Sequence, residues 1–309
     1  PACWEQSKCR LPEREAAMLQ EQAFSTVISA SSLLVDKNGN FQILPTAMDY
    51  PERFEGPAGK NNPITGGMGA VSPHPLETPE LIKMAGDVIA GPLIEAMRKK
   101  AILRPCVLYP GCFVSLDAAG LPKTIRVSEI NIRPGEPEAQ PVIRRLRNLG
   151  SLIKATLEGN LNEVEPEVRT DQLAMCAALV TGRGGPDGQK GYPWSCTRGE
   201  PVEIDFKYMK RKGIQVIPSA MMGSPQENGF KSDGTRVAFL NANLTVKSHE
   251  SRGEAAERFR KKLLDAIDHG KIRVIPREDP DGNRLDLRRD IGFHYLEAEK
   301  IFPNKIKSP

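Results

Sequence analysis

Glu129, Asn131 and Arg133 follow one another at every second position of the segment Thr124-Ile125-Arg126-Val127-Ser128-Glu129-Ile130-Asn131-Ile132-Arg133. On an extended strand, side chains at i, i+2 and i+4 share one face. Ile125 and Val127 therefore begin a face that Glu129, Asn131 and Arg133 continue. The opposite face carries Ile130 and Ile132. A carboxylate and an amide oxygen two residues apart are hard ligands that suit Mg²⁺. An arginine beside them suits a phosphate or carboxylate oxygen held by its guanidinium fork. An isolated E-x-N-x-R is equally the polar end of a strand running into solvent. The adjoining residues shift the balance: Arg133-Pro134-Gly135-Glu136-Pro137-Glu138 is a stiff, turn-rich segment with two further carboxylates. A strand end and a proline-bounded turn would hold these groups in a preorganised site.

Two other segments carry chemistry. In Asn62-Pro63-Ile64-Thr65-Gly66-Gly67-Met68-Gly69-Ala70, three glycines in four positions allow close backbone approach to a ligand. Such loops form anion-binding nests, though plain connectors look the same. The G-K-[ST] ending of a Walker A motif is absent. Near the C-terminus, Arg288-Arg289-Asp290-Ile291-Gly292 pairs charges that also suit an ordinary surface turn.

The elements that would position these groups can be read from periodicity. Ser31 to Val35 and Phe41 to Leu44 read as a hairpin across Lys37-Asn38-Gly39-Asn40. Residues 51–75 form a long aperiodic stretch rich in Gly, Pro and Asn, the kind that is functional or unstructured. Thr78 caps a helix with Pro79 at its first position, and Pro92 should kink or divide it. Cys112 to Leu116 and Thr124 to Ile132 read as a second hairpin. One helix is expected from Pro141 to about Leu157, ending at Gly159. The acidic stretch 160–170 with Pro166 marks the expected domain boundary. Beyond it, strands are expected near 173–180, 202–206, 214–217 and 236–241. A helix from about Arg252 to Ile267 carries Ala256, Phe259, Leu263 and Ile267 on one stripe.

Bulk properties narrow the class. The 309 residues allow a large core and two domains. With 39% hydrophobic and 27% charged residues, the chain reads as globular. A net charge of +4 is too small to argue for nucleic acid and suits phosphate-bearing small substrates. No apolar run is long enough to cross a membrane, and the first residues hold no signal-peptide core. The six cysteines show no C-x-x-C spacing, so they read as free thiols in a reducing cytoplasm rather than a zinc site.

Taken together, the segments resemble one family. NPITGGMGAVSP is similar to the G-P-N-T-G-G-M-G-A-x-S-P signature of glycinamide ribonucleotide synthetases, and EINIRPGEPEAQPVIRRL resembles their E-x-N-x-R-x-G-D-P-E-x-Q block. SDGTRVAFLNA resembles the family's glycine-Arg-Val strand, RRDIG its C-terminal signature, and Lys190-Gly191 its lysine-glycine turn. The blocks occur in family order between about residues 21 and 298.

The resemblance implies an α+β chain: a partial ATP-grasp catalytic core followed by a small mixed α/β C-terminal domain. It divides the chain into a remnant of the ATP-lid subdomain (1–26), a central catalytic domain (27–165) and a C-terminal domain (166–309). It implies ATP- and Mg²⁺- or Mn²⁺-dependent ligation of glycine to 5-phosphoribosylamine through a glycyl phosphate, in purine biosynthesis. Glu129 and Asn131 fall on the metal ligands, Arg133 on a phosphate clamp, and Thr65, Gly66 and Gly67 on the reaction-centre loop. Arg289 and Asp290 fall on the C-terminal signature, and Glu21 on the adenine hinge.

Departures accompany it. Ile64 precedes Thr65 where the family has Asn, and Glu136 replaces its aspartate. Val27 and Ile28 stand where acids are expected. The start, PACWEQSKCRLPE, resembles nothing in the family and opens on Pro1, so the sequence reads as N-terminally truncated, without the family's N-terminal domain and most of its ATP lid. Two alternatives stay open: another ATP-grasp carboxylate–amine ligase, or a non-catalytic nucleotide-binding homologue.

Overall fold

The computed structural model describes residues 27–30, 32–117, 122–181, 191–196, 198–224, 229–269, 271–274 and 285–301. Glu21 and Lys190 lie outside the described residues.

The first sheet is built on one long strand. Strands β1 (Val27–Ala30), β2 (Leu33–Val35) and β3 (Phe41–Ile43) precede it in sequence. The central strand is β6 (Cys106–Leu116), which pairs with β1 and β2 on one edge and with β7 (Pro122–Asn131) on the other, all antiparallel. The β2–β3 hairpin matches the sequence expectation. Its turn is tied down by Asp36, whose buried carboxylate accepts the N–H groups of Asn38 (2.8 Å), Asn40 (3.0 Å) and Leu161 (3.2 Å). Val27 and Ile28, at positions where acids were expected, pair with Val114 and Phe113.

The second sheet joins both ends of the chain. β4 (Met48–Asp49) pairs with β5 (Gly69–Ser72), β5 with β8 (Gln172–Thr181), and β8 with β13 (Arg236–Thr245). β10 (Gln215–Pro218) extends the far edge, and β15 (Leu285–Asp286) pairs with the end of β8. So the sheet spans the acidic stretch 160–170. β8 is buried from Leu173 to Thr181 without alternation, as expected of a strand covered on both faces. A third sheet holds β9 (Arg198–Ile204), β11 (Met221–Ser224), β12 (Gly229–Asp233) and β14 (Ile272–Val274). A short helix, α5 (Phe206–Arg211), follows β9.

The helices follow their caps. α1 (Pro79–Ala85) starts where Thr78 Oγ1 accepts the Leu81 N–H at 3.2 Å. Pro92 does divide the helical run: a π-turn at Gly86–Ala90, with Gly91 N–H bonded to Gly86 O, precedes α2 (Gly91–Lys99). The extra residue in that turn absorbs the donor proline cannot supply. The single helix expected from Pro141 is instead two, α3 (Ala139–Arg145) and α4 (Leu149–Glu158). Leu146 turns extended between them and bridges to Val168, while Arg147 N–H bonds to Glu167 O at 2.9 Å. The end at Gly159 holds, with its φ at 91°. α6 (Arg252–Asp268) packs Ala256, Phe259 and Leu263 into the main core, which also takes Ile291 and Tyr295. Tyr295 lies on α7 (Phe293–Ile301), a helix the periodicity did not reveal.

Candidate active site

β7 delivers Glu129 and Asn131 side by side. Asn131 Nδ2 donates to Glu129 Oε1 at 3.0 Å. Both faces of β7 are open to solvent, so the expected apolar face is not packed: Ile130 is 43% and Ile132 74% exposed. The strand also carries a bulge. Gly111 pairs with Glu129 but its neighbour Cys112 pairs with Val127, leaving Ser128 as the extra residue. The bulge interrupts the alternation that ran from Ile125 and Val127 into Glu129. Ser128 Oγ donates to Gly111 O at 3.0 Å and so fixes it. Arg133 stands just past the strand, exposed, with Nη1 on Pro134 O at 3.0 Å.

The following turn folds back inward. Glu138 is buried, and its Oε1 accepts a hydrogen bond from the Tyr109 hydroxyl. Burial raises the Glu138 carboxyl above the usual carboxylate range, against the Tyr109 hydroxyl, which favours the charged form. Burial drives the Tyr109 phenol upward as well, and the Glu138 charge adds to it.

The glycine loop meets this turn. Gly67 has φ +97°, and a Cβ there would lie 2.4 Å from Pro137 Cδ and 3.1 Å from Asp49 Oδ1. Two of the motifs read from the sequence therefore touch, and Asp49 joins them. Asp49 is half-buried as a residue, yet its surroundings strip water from its carboxyl. That desolvation, then the negative charge of Glu138, raises it well above the usual range, against the Tyr50 N–H that donates to it at 2.8 Å. The loop's own N–H groups are spent internally: Gly66 on the Tyr192 hydroxyl (3.1 Å), Gly67 on Thr65 Oγ1 (3.1 Å) and Met68 on Tyr50 O (2.8 Å). In this conformation the loop offers no nest of free donors. Thr65 Oγ1 in turn donates to Pro51 O at 2.8 Å.

The C-terminal signature splits. Asp290 lines a cavity of ≈ 430 Å³ with Asp49, Tyr50, Glu52, Arg288 and His294. Arg288, 4% exposed, holds Asp290 through Nε (2.6 Å) and Nη2 (2.9 Å), and reaches Glu52 Oε2 at 2.9 Å. Its guanidinium lies 5.1 Å from the Tyr50 ring centroid. Arg289 turns away, toward Asp268 at 3.9 Å, with its N–H on Glu55 Oε1. Ile291 packs on Gly69, where a Cβ would come within 2.4 Å of its Cδ1.

Sequence reasoning missed Asp49, Tyr109 and the role of Arg236. Arg236 binds both the loop and the turn. Asp49 and Tyr109 sit in strands with no motif around them. Arg236 lay inside a quoted block, but its partners are distant in sequence.

Among the described residues, no group of three or more His, Cys, Asp or Glu could hold a metal. The donor set is instead one carboxylate and one amide oxygen on a strand end. That fits Mg²⁺, which takes few protein oxygens and completes its shell with phosphates and water. No helix among the described residues is long and apolar enough to cross a membrane.

Residues 17–139 match the family described as phosphoribosylglycinamide synthetase, ATP-grasp (A) domain. The phosphoribosylamine–glycine ligase of Archaeoglobus fulgidus is 31% identical over 211 residues, covering 67% of this chain and 40% of that protein. That of Neisseria meningitidis is 36% identical over 175 residues, covering 56% and 37%. The chain thus spans about two fifths of the length of these relatives. The crystal structure of phosphoribosylamine–glycine ligase from Thermotoga maritima superposes with a TM-score of 0.58 at 23% identity, over 86% of this chain and 56% of that one. The biotin carboxylase subunit of pyruvate carboxylase superposes at 0.51 with 15% identity, over 89% and 53%. Both show a shared fold, the ATP-grasp fold in part.

Proposed function

Because residues 17–139 match the ATP-grasp (A) domain family of phosphoribosylglycinamide synthetase, we propose that this chain carries the reaction centre of an ATP- and Mg²⁺- or Mn²⁺-dependent ligase joining glycine to 5-phosphoribosylamine. One observation supports this most: the Thr65–Gly67 loop and the Glu129–Glu138 strand end and turn, distant in sequence, meet at Gly67 and Pro137.

In this reading Glu129 and Asn131 hold the divalent ion. The ion supplies charge neutralisation for the triphosphate. Arg133, exposed beside them, clamps a phosphate oxygen. Thr65, Gly66 and Gly67 shape the wall against which the carboxylate and amine meet, held to Pro51, Tyr192 and the Pro137 turn. Asp290 acts from the neighbouring cavity through Arg288, while Arg289 faces away from it. Glu21 would contact the nucleotide. The chemistry demanded is positioning of two anionic substrates and a phosphoryl group, with little covalent work for the protein.

A second reading, ligation of a different carboxylate, is favoured by Glu136. This residue is longer than the family's aspartate, and its Oε2 lies 3.3 Å from Arg236. Incubation with ATP, Mg²⁺, phosphoribosylamine and labelled amino acids separates the readings. Label from glycine alone entering a phosphate-bearing product supports the first. Label from another amino acid supports the second, and no incorporation from any of them contradicts both.

A further inference from the structure

Arg236 opens β13 and turns both its Nη nitrogens on the two motifs. Nη1 donates to Gly66 O (2.5 Å), Glu136 O (3.2 Å) and Gly67 O (3.4 Å), and Nη2 reaches Glu136 Oε2 at 3.3 Å. The guanidinium lies 5.3 Å from the ring centroid of Phe239, which is fully buried. Its own side chain is 19% exposed. Three carbonyl oxygens from two segments thus converge on one cation. Turned toward each other without a positive charge, three carbonyl dipoles repel and the segments would part.

We propose that Arg236 is the positioning residue of this site: its guanidinium fork, delivered from β13, holds the Gly66–Gly67 loop in register with the Glu136–Glu138 turn. The inference rests on reading these segments as one site. It assigns β13, which carries none of the ligands, the task of setting the distance between them. The planar fork sets two nitrogens at a fixed angle, Nη1 on the three carbonyls and Nη2 on the Glu136 carboxylate. A lysine ammonium carries the same charge but lacks that fork. The charge also reaches inward, where it favours the ionised forms of Asp49 and Glu138.

The test compares R236M and R236K with the wild-type chain by amide hydrogen exchange. A peptide spanning residues 64–69 reports the loop, and one spanning 238–244 reports β13. We expect loop exchange to rise about tenfold or more in R236M, from lost charge-assisted hydrogen bonds, with β13 unchanged. R236K should recover only part of the protection. The same variants are assayed for ADP release: kcat should fall about tenfold while KM for ATP stays within about twofold, as for a group acting on geometry rather than nucleotide binding. Loop exchange within about twofold of wild type in a folded R236K or R236M overturns the proposal, as does a loss confined to KM. ADP release is read on the chain joined to the N-terminal part of the Archaeoglobus fulgidus ligase; if that protein releases none, the ligase reading fails, and the exchange result still decides the clamp.

Discussion

Asn131 lays its amide nitrogen 3.0 Å from Glu129 Oε1, so the two oxygen-bearing side chains at the end of β7 sit as a pair before any ion binds. The neighbouring carboxylate already selects the amide's donor end, leaving its oxygen for another partner. In the proposed ligase that partner is the divalent ion.

Glu129→Gln keeps the shape and removes one charge. Glu129 is exposed, so the change should leave stability within about 0.5 kcal/mol. Mg²⁺-dependent ADP release should fall by about a hundredfold, since the charge that fixes the ion is gone. Urea unfolding and a coupled ADP assay read the two effects separately.

Gly67→Ala should cost about 2–4 kcal/mol, because it adds a strained φ of +97° to a contact with Pro137 Cδ at 2.4 Å. Neither neighbour is a flexible chain end, as one is a proline ring and the other the packed Asp49 carboxyl. The midpoint of urea unfolding checks it.

Arg288→Ala should destabilise by about 3–5 kcal/mol, since it strands Asp290 and Glu52 around a buried position. Arg288→Lys should recover little, because one ammonium cannot reproduce three separate contacts. Thermal unfolding of both variants tests this.

Asp49 and Glu138 make stability fall as pH rises. Both carboxyls are raised in the folded state, so between the unfolded and folded values the native chain holds more protons than the unfolded one. Their effect is absent well below about pH 4, the ordinary carboxylate range, and grows above it. Asp49→Asn should therefore be more stable than wild type at neutral pH, with the advantage vanishing in acid. Unfolding midpoints at both pH values check the sign.

Much of this was legible in the sequence because it is local. Thr78, Gly159, the 37–40 turn and the stripe of α6 encode their own structure in spacing and type. The E-x-N-x-R pairing of Glu129 with Asn131 was also local. The bulge at Ser128 was not, because it is set by pairing with Gly111 on another strand. Nor was the break at Leu146, which is stabilised by Val168 and Glu167. Asp49 and Tyr109 join the site only once the glycine loop meets the 134–138 turn. Arg236 lies about a hundred residues or more from the carbonyls it holds, so no window of sequence shows the contact.

Whether these segments form a ligase reaction centre is decided by ADP release from this chain joined to the N-terminal part of the Archaeoglobus fulgidus ligase. Release is expected only when ATP, Mg²⁺, glycine and phosphoribosylamine are all present, and should be lost in Glu129→Gln. Release that ignores glycine and phosphoribosylamine, or that survives in Glu129→Gln, would contradict the assignment, as would no release from a folded protein.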